Sequence, residues 1–229
     1  MTVLVNEAGE KQYKVMIAVP CGDQCASGFA QDLALLMGYT QFVKPEMEVG
    51  LYFLKGTYLP RARAALVAKA LERNDTHILW LDSDMRFPKD TLLRLLGHDR
   101  SIVAANYATR QAPILPTMKD ADKAYLFDQP EHLIPVSSAG MGCMLTATDV
   151  FRGMDKPYFA IGYNKDVDDY ASEDTFFGMK AQKGGYQILV DPQLSEVVRH
   201  VGAMEFEMAH TRMTRDAALA QQQTQPETV

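Results

Sequence analysis

The sequence predicts an α/β protein, a single domain with a mostly parallel central sheet flanked by helices. Three observations predict it. Strand-like and helix-like segments alternate from residue 13 to residue 105. The early strands are nearly unbroken apolar runs, as strands covered on both faces must be. A chain of 229 residues with 47% hydrophobic and 23% charged residues suits one domain with a large core.

The elements follow in order. Residues 1–12 form a polar N-terminal arm without a signal-peptide core. Tyr13 to Pro20 reads as a buried strand and Ser27 to Met37 as a helix, with Ser27 as its N-cap. Val49 to Leu54 is a second strand. Pro60 to Arg73 is an alanine-rich helix with proline in its first turn. Thr76 to Leu81 is a third strand, Pro88 to Leu96 a short helix and Ser101 to Ala105 a fourth strand. These close a first half, 13–106. In a second half, 107–202, short strands are expected at Ile114–Met118, Tyr125–Phe127, His132–Ser137 and Cys143–Leu145. Helices are expected at Thr148–Met154 and Ser172–Lys183, the latter stopped by Gly184-Gly185 before a strand Tyr186–Val190. Residues 203–220 read as a C-terminal helix and 221–229 as a disordered tail.

Composition excludes several classes. A net charge of −6 argues against general nucleic-acid binding. No apolar stretch approaches the ~20 residues of a membrane span. Three cysteines, Cys21, Cys25 and Cys143, cannot all pair, so reduced thiols and a cytoplasmic setting are expected.

Chemistry concentrates where His77-Ile78-Leu79-Trp80-Leu81 runs into Asp82-Ser83-Asp84. In an extended chain residues i and i+2 share a face, so Asp82 and Asp84 would point the same way. Two hard oxygen ligands suit Mg²⁺ or Mn²⁺, ions that also take phosphate oxygens. The plainer alternative is a strand end followed by an exposed turn. In parallel sheets ligands bind beyond the carboxyl ends of strands, which is where the pair lies. Arg61 and Arg63 open the helix at the same edge and could neutralise a diphosphate, or simply be solvated. Glu173-Asp174 sits in a first helical turn, where the dipole favours acids; Asp174 could equally act as a general base. His200 is either an ordinary histidine or a ligand to an ion held by Asp84. Gly140 and Gly142 permit close backbone approach to a ligand, or form a turn. Tyr107, Arg110, Tyr163 and Tyr170 could line an acceptor site or belong to the framework.

Taken in order, these pieces resemble the GT-A (Rossmann-like) glycosyltransferases, similar to glycosyltransferase family 2. The resemblance rests on Val19-Pro20, Arg61-Ala62-Arg63, Thr76 to Asp84, Phe87-Pro88, Ser138 to Cys143, Ser172-Glu173-Asp174 and His200-Val201-Gly202, over about residues 13 to 202. It implies a nucleotide-binding first half and an acceptor-binding, catalytic second half. The implied donor is a UDP- or GDP-sugar, contacted by Pro20, Asp23, Arg61, Arg63, Asp82 and Ser83. The implied cofactor is Mn²⁺ or Mg²⁺ on Asp84 and Asp82, with His200 as a further ligand. Asp174 would deprotonate an acceptor hydroxyl and Glu173 would orient the acceptor. The acidic residue often found after the second strand is replaced by Leu54-Lys55-Gly56-Thr57, with Asp23 as the possible substitute. The tryptophan-bearing acceptor motif of the family is absent, since the sole tryptophan is Trp80. A haloacid-dehalogenase-type phosphatase also ends a strand in Asp-x-Asp, but near its N-terminus and without an arginine at the place of Arg86. A non-catalytic nucleotide-sugar-binding module would need Asp84 and not Asp174.

Overall fold

A computed structural model of the protein describes residues 4–5, 11–164 and 168–224. The chain runs β1 (Leu4–Val5), β2 (Lys11–Gln12), β3 (Lys14–Cys21), α1 (Ser27–Val43), β4 (Glu48–Lys55), α2 (Leu59–Glu72), β5 (His77–Leu81) and β6 (Met85–Arg86). It continues through α3 (Thr91–Gly97), β7 (Ile102–Ala104), β8 (Ile134–Val136), β9 (Cys143–Ala147), α4 (Thr148–Arg152), β10 (Gly162–Asn164) and β11 (Asp169–Ala171). It ends with α5 (Glu173–Lys183), β12 (Ile188–Val190), α6 (Pro192–Ser195), β13 (Arg199–Val201), β14 (Glu205–Phe206) and α7 (Met208–Thr224).

Seven strands form the central sheet in the order β4-β3-β5-β9-β7-β12-β8. Strands β3, β4 and β5 are mutually parallel, as are β7 and β12, while β9 and β8 run against their neighbours. Period-two alternation divides the core between two faces. Met16, Ala18, Ile78 and Trp80 face Leu66, Val67 and Ala70 of α2 together with Phe151 and Phe177. Val15, Ile17, Val19, Leu79 and Leu81 face Phe29, Leu33 and Leu36 of α1 and Leu92, Leu95 and Leu96 of α3. Helices on both faces are why β3 and β5 read as continuous apolar runs rather than alternating ones, whereas edge strand β4 leaves Leu51 and Phe53 exposed.

Three differences from the sequence reading have local causes. Helix α1 starts on Ser27 itself, with Ala26 in the cap position, because the Ala26 N–H is drawn to the Ser83 carbonyl at 3.0 Å. The segments expected as strands at 114–118 and 125–127 make only isolated bridges, Ala108 with Pro116 and Lys119 with Tyr125. Helix α7 starts five residues later than expected and runs through Thr224, into the stretch expected as a tail; residues 225–229 lie outside the described residues. No helix among the described residues is long and apolar enough to cross a membrane.

A buried charge cluster pins the carboxyl end of β12. Asp191 caps α6, accepting from the Leu194 N–H at 2.8 Å, and takes Arg94 Nε at 2.7 Å and His98 Nε2 at 2.7 Å. Burial pushes its pKa up, but the bonds from Arg94, His98 and Leu194 outweigh burial and hold it below the ordinary value of 3.8. A depressed folded pKa stabilises the protein above the unfolded value, near pH 4, and that contribution is lost as pH falls through the folded value. Asp191→Asn is expected to lower stability by about 2 kcal/mol at pH 7. Urea titrations between pH 2 and 7 should show the variant losing less stability below pH 4 than the wild type. Parallel curves would show that Asp191 does not set the acid response.

Candidate active site

The antiparallel insertion of β9 beside β5 shapes the site. Its first residue pairs with the last of β5, Cys143 opposite Leu81, so the glycine segment before β9 abuts Asp82. The Asp82 N–H donates to the Gly142 carbonyl at 3.1 Å. The Gly142 N–H donates in turn to the Tyr107 hydroxyl at 2.8 Å. A Cβ on Gly140 or Gly142 would stand 2.5 or 2.6 Å from that hydroxyl. The glycines therefore admit a buried tyrosine, a purpose the sequence did not suggest. Burial raises the Tyr107 pKa well above 10, and Asp82 and Asp174 push it further, so the phenol stays neutral.

The two aspartates take different partners. Strand β5 ends at Leu81, and the Met85 N–H closes a turn onto the Asp82 carbonyl at 3.1 Å. That turn sends the carboxylates to different partners. Asp82 Oδ1 accepts from Arg63 Nη2 at 3.0 Å. Arg63 Nε donates to Glu173 Oε1 at 3.2 Å, tying β5, α2 and α5 together. Arg63 is only 2% exposed, and its ring neighbour is Trp80, 5.6 Å from guanidinium to centroid. Burial opposes its charge, while Asp82, Glu173 and Asp174 more than restore it. Arg63 is thus an internal counter-ion rather than an exposed anion binder, and Glu173 is its buried partner.

Asp84 faces the hairpin β13–β14. The Val201 N–H donates to the Asp84 carbonyl at 2.7 Å, and β13 pairs with β6 immediately downstream. This register brings His200 Nε2 within 3.4 Å of Asp84 Oδ2. His200 Nδ1 lies 3.1 Å from the Ala108 carbonyl, which can only accept, so Nδ1 carries a proton. The other ring nitrogen, Nε2, faces the Asp84 carboxylate. Arg110 forms an ion pair with the same Oδ2. Burial raises the Asp84 pKa, but His200 and Arg110 together hold it below the ordinary value. Tyr107 meets the His200 ring edge-on, centroids 5.6 Å apart and planes at 88°.

One carboxylate and one imidazole nitrogen, the latter oriented by a carbonyl on its far nitrogen, fit a divalent ion such as Mn²⁺. The remaining positions would fall to the ligand, since no three His, Cys, Asp or Glu side chains converge among the described residues. Asp82, the other expected metal contact, accepts from Arg63 through Oδ1.

Asp174 lies beside Glu173 in the first turn of α5. Its Oδ1 accepts from the Thr175 N–H at 2.7 Å and from Ser172 Oγ. The other expected positions are spread along the same edge. Pro20 is buried in β3, paired with Leu54, and the Ser83 carbonyl is taken by Ala26. Arg61 is exposed and lines, with Lys55, Gly56, Thr57 and Tyr58, a concavity of about 430 Å³ between β4 and α2. Asp23 forms an ion pair with Lys55 at its rim. Tyr163 and Tyr170 pack edge-to-face on the hairpin β10–β11, which the sequence reading missed.

No protein-family model and no curated protein matches the chain by sequence. Solved structures do match by shape. The chain is similar to A197 from STIV, with a TM-score of 0.57 at 12% identity, over 82% of this chain and 86% of that one. It is also similar to GalNAc-T7, crystallised with UDP, GalNAc and Mn²⁺, with a TM-score of 0.50 at 10% identity. That match covers 80% of this chain and 43% of GalNAc-T7, so the chain spans less than half of that protein's length. With its seven-stranded, mostly parallel sheet between helices, the chain has the GT-A fold.

Proposed function

We propose that the protein is a metal-dependent glycosyltransferase that moves a sugar from a nucleotide-diphosphate sugar to an acceptor hydroxyl. One observation carries the reading: Asp84 and the oriented His200 Nε2 come together at the carboxyl edge of a GT-A sheet, a carboxylate oxygen and an imidazole nitrogen that suit a divalent ion. Support comes from the GalNAc-T7 neighbour, whose crystals held UDP, GalNAc and Mn²⁺.

Asp84 and His200 would hold Mn²⁺ or Mg²⁺. When bound, that ion supplies Lewis-acid stabilisation of the charge developing on the departing diphosphate. The chain's own residues do the remainder. Arg63 offsets one of the two charges on Asp82 and Glu173, which lessens the repulsion an anionic donor would meet. Asp82 is held still by Arg63 for a contact to the nucleotide. The Lys55–Arg61 concavity would take the nucleoside end of the donor. Asp174, with Oδ1 fixed by Thr175 and Ser172, would accept the acceptor proton on Oδ2.

Wild-type protein is expected to hydrolyse a UDP- or GDP-sugar slowly, and only with Mn²⁺ or Mg²⁺. Asp84→Ala is expected to fall to the metal-free background, and retention of metal-dependent hydrolysis in Asp84→Ala sinks the metal assignment. Turnover of an aryl phosphate in place of a nucleotide sugar would identify a phosphatase. Donor binding without any turnover would identify a binding module.

A further inference from the structure

Arg110 and His200 Nε2 converge on one oxygen, Asp84 Oδ2. An ion bound to both Oδ2 and Nε2 would need the space that Arg110 now occupies and would take over its neutralisation of Asp84. Building on the metal reading above, we infer that Arg110 is a displaceable internal cation. It covers Asp84 until a divalent ion arrives, then gives way and contacts the diphosphate of the incoming ligand.

The geometry separates a fixed base from a movable tip. Around Arg110 the backbone is held: the Ala108 carbonyl takes His200 Nδ1, and the Thr109 N–H donates to the Leu115 carbonyl at 2.7 Å. A Cβ on Gly202 would lie 3.2 Å from Arg110 Cβ, so hairpin β13–β14 packs against the arginine's root. The side chain beyond that root is 48% exposed. An ion pair this exposed is weak and exchanges readily. Asp84, in contrast, is held in its turn, so the cation moves and the anion stays. A displaced guanidinium remains tethered within reach of the metal position, and its planar fork suits a diphosphate oxygen pair. Asp84 would therefore face a positive charge throughout, from arginine in the free protein and from the metal once it binds, with arginine then added to the anionic ligand.

Competition and assistance give opposite signs, and calorimetry separates them. Arg110→Gln is expected to bind Mn²⁺ alone about two- to fivefold more tightly than wild type, because the competitor is gone. The same variant, at saturating Mn²⁺, is expected to bind UDP or GDP about tenfold more weakly. Arg110→Lys keeps the charge and should stay near wild type for Mn²⁺ alone. Unchanged or weaker Mn²⁺ binding in Arg110→Gln overturns the displacement, and unchanged nucleotide affinity overturns the second contact. Asp84→Asn is the control on the underlying reading. Were it to bind Mn²⁺ like the wild type, or were no protein to bind Mn²⁺ with or without nucleotide, the metal assignment itself would fall.

Discussion

Replacing Arg63 by methionine is expected to cost about 3–5 kcal/mol, the largest single-residue loss of stability in the site. Arg63 is the one cation between Asp82 Oδ1 and Glu173 Oε1, and both it and Glu173 are almost wholly removed from water. Methionine fills a similar volume, so the loss is electrostatic: two carboxylates are left facing each other with Asp174 close by. In a chain of 229 residues a loss of this size lowers the melting temperature by roughly 10 °C. The double variant Arg63→Met/Glu173→Gln removes the more buried carboxylate along with its partner and should recover part of the loss. Urea denaturation of the two variants and the wild type measures this coupling. A loss under 1 kcal/mol in Arg63→Met would show that the cluster is hydrated and that Arg63 is no counter-ion. An Arg63→Met protein that stays folded should still bind its nucleotide poorly, since Asp82 loses its anchor.

Arg63 also shows which parts of this site were legible in the sequence. The alternation of apolar runs and helices was legible because each βα unit is local, and burial on both faces leaves a continuous hydrophobic signature. Even the split between the arginines could have been read. At 3.6 residues per turn, Arg61 and Arg63 lie about 200° apart, so one must turn inward if the other is exposed. Adjacent Glu173 and Asp174 diverge by about 100° for the same reason, one to Arg63 and the other outward. What the sequence hid depends on non-local pairing. Strand β9 enters between β5 and β7 against their direction, and only that insertion brings Gly142 to Asp82 and Tyr107. The pairing of β13 with β6 across more than a hundred residues sets His200 against Asp84, and no spacing rule foretells it. The expectation that Asp82 and Asp84 share a face assumed an extended chain, whereas a turn begins at Asp82. Separation of the pair leaves Asp82 to the buried arginine and Asp84 to the hairpin.

Asp174→Asn is expected to reduce kcat for donor hydrolysis, in which water stands in for the acceptor, by about 10² to 10⁴-fold. Donor affinity should change little, because Asp174 makes no contact with Asp84 or Arg110 and an asparagine oxygen can still accept from Thr175. The same accepting oxygen keeps the first turn of α5 intact, so stability should fall by less than about 1 kcal/mol, the value of one favourable charge at a helix N-terminus. This pattern separates two roles that one residue can combine. A carboxylate serving only the helix dipole would show the small stability loss with kcat nearly unchanged. A general base shows the reverse weighting. Glu173→Gln supplies the contrast within the same turn: its loss falls on stability, through Arg63, more than on kcat. Should Asp174→Asn retain wild-type turnover, the acceptor proton leaves by another route, and the general-base assignment is wrong while the metal assignment at Asp84 stands. A retaining mechanism, in which no enzyme base is needed at that position, would then be the reading to pursue, and the anomeric configuration of the product decides it.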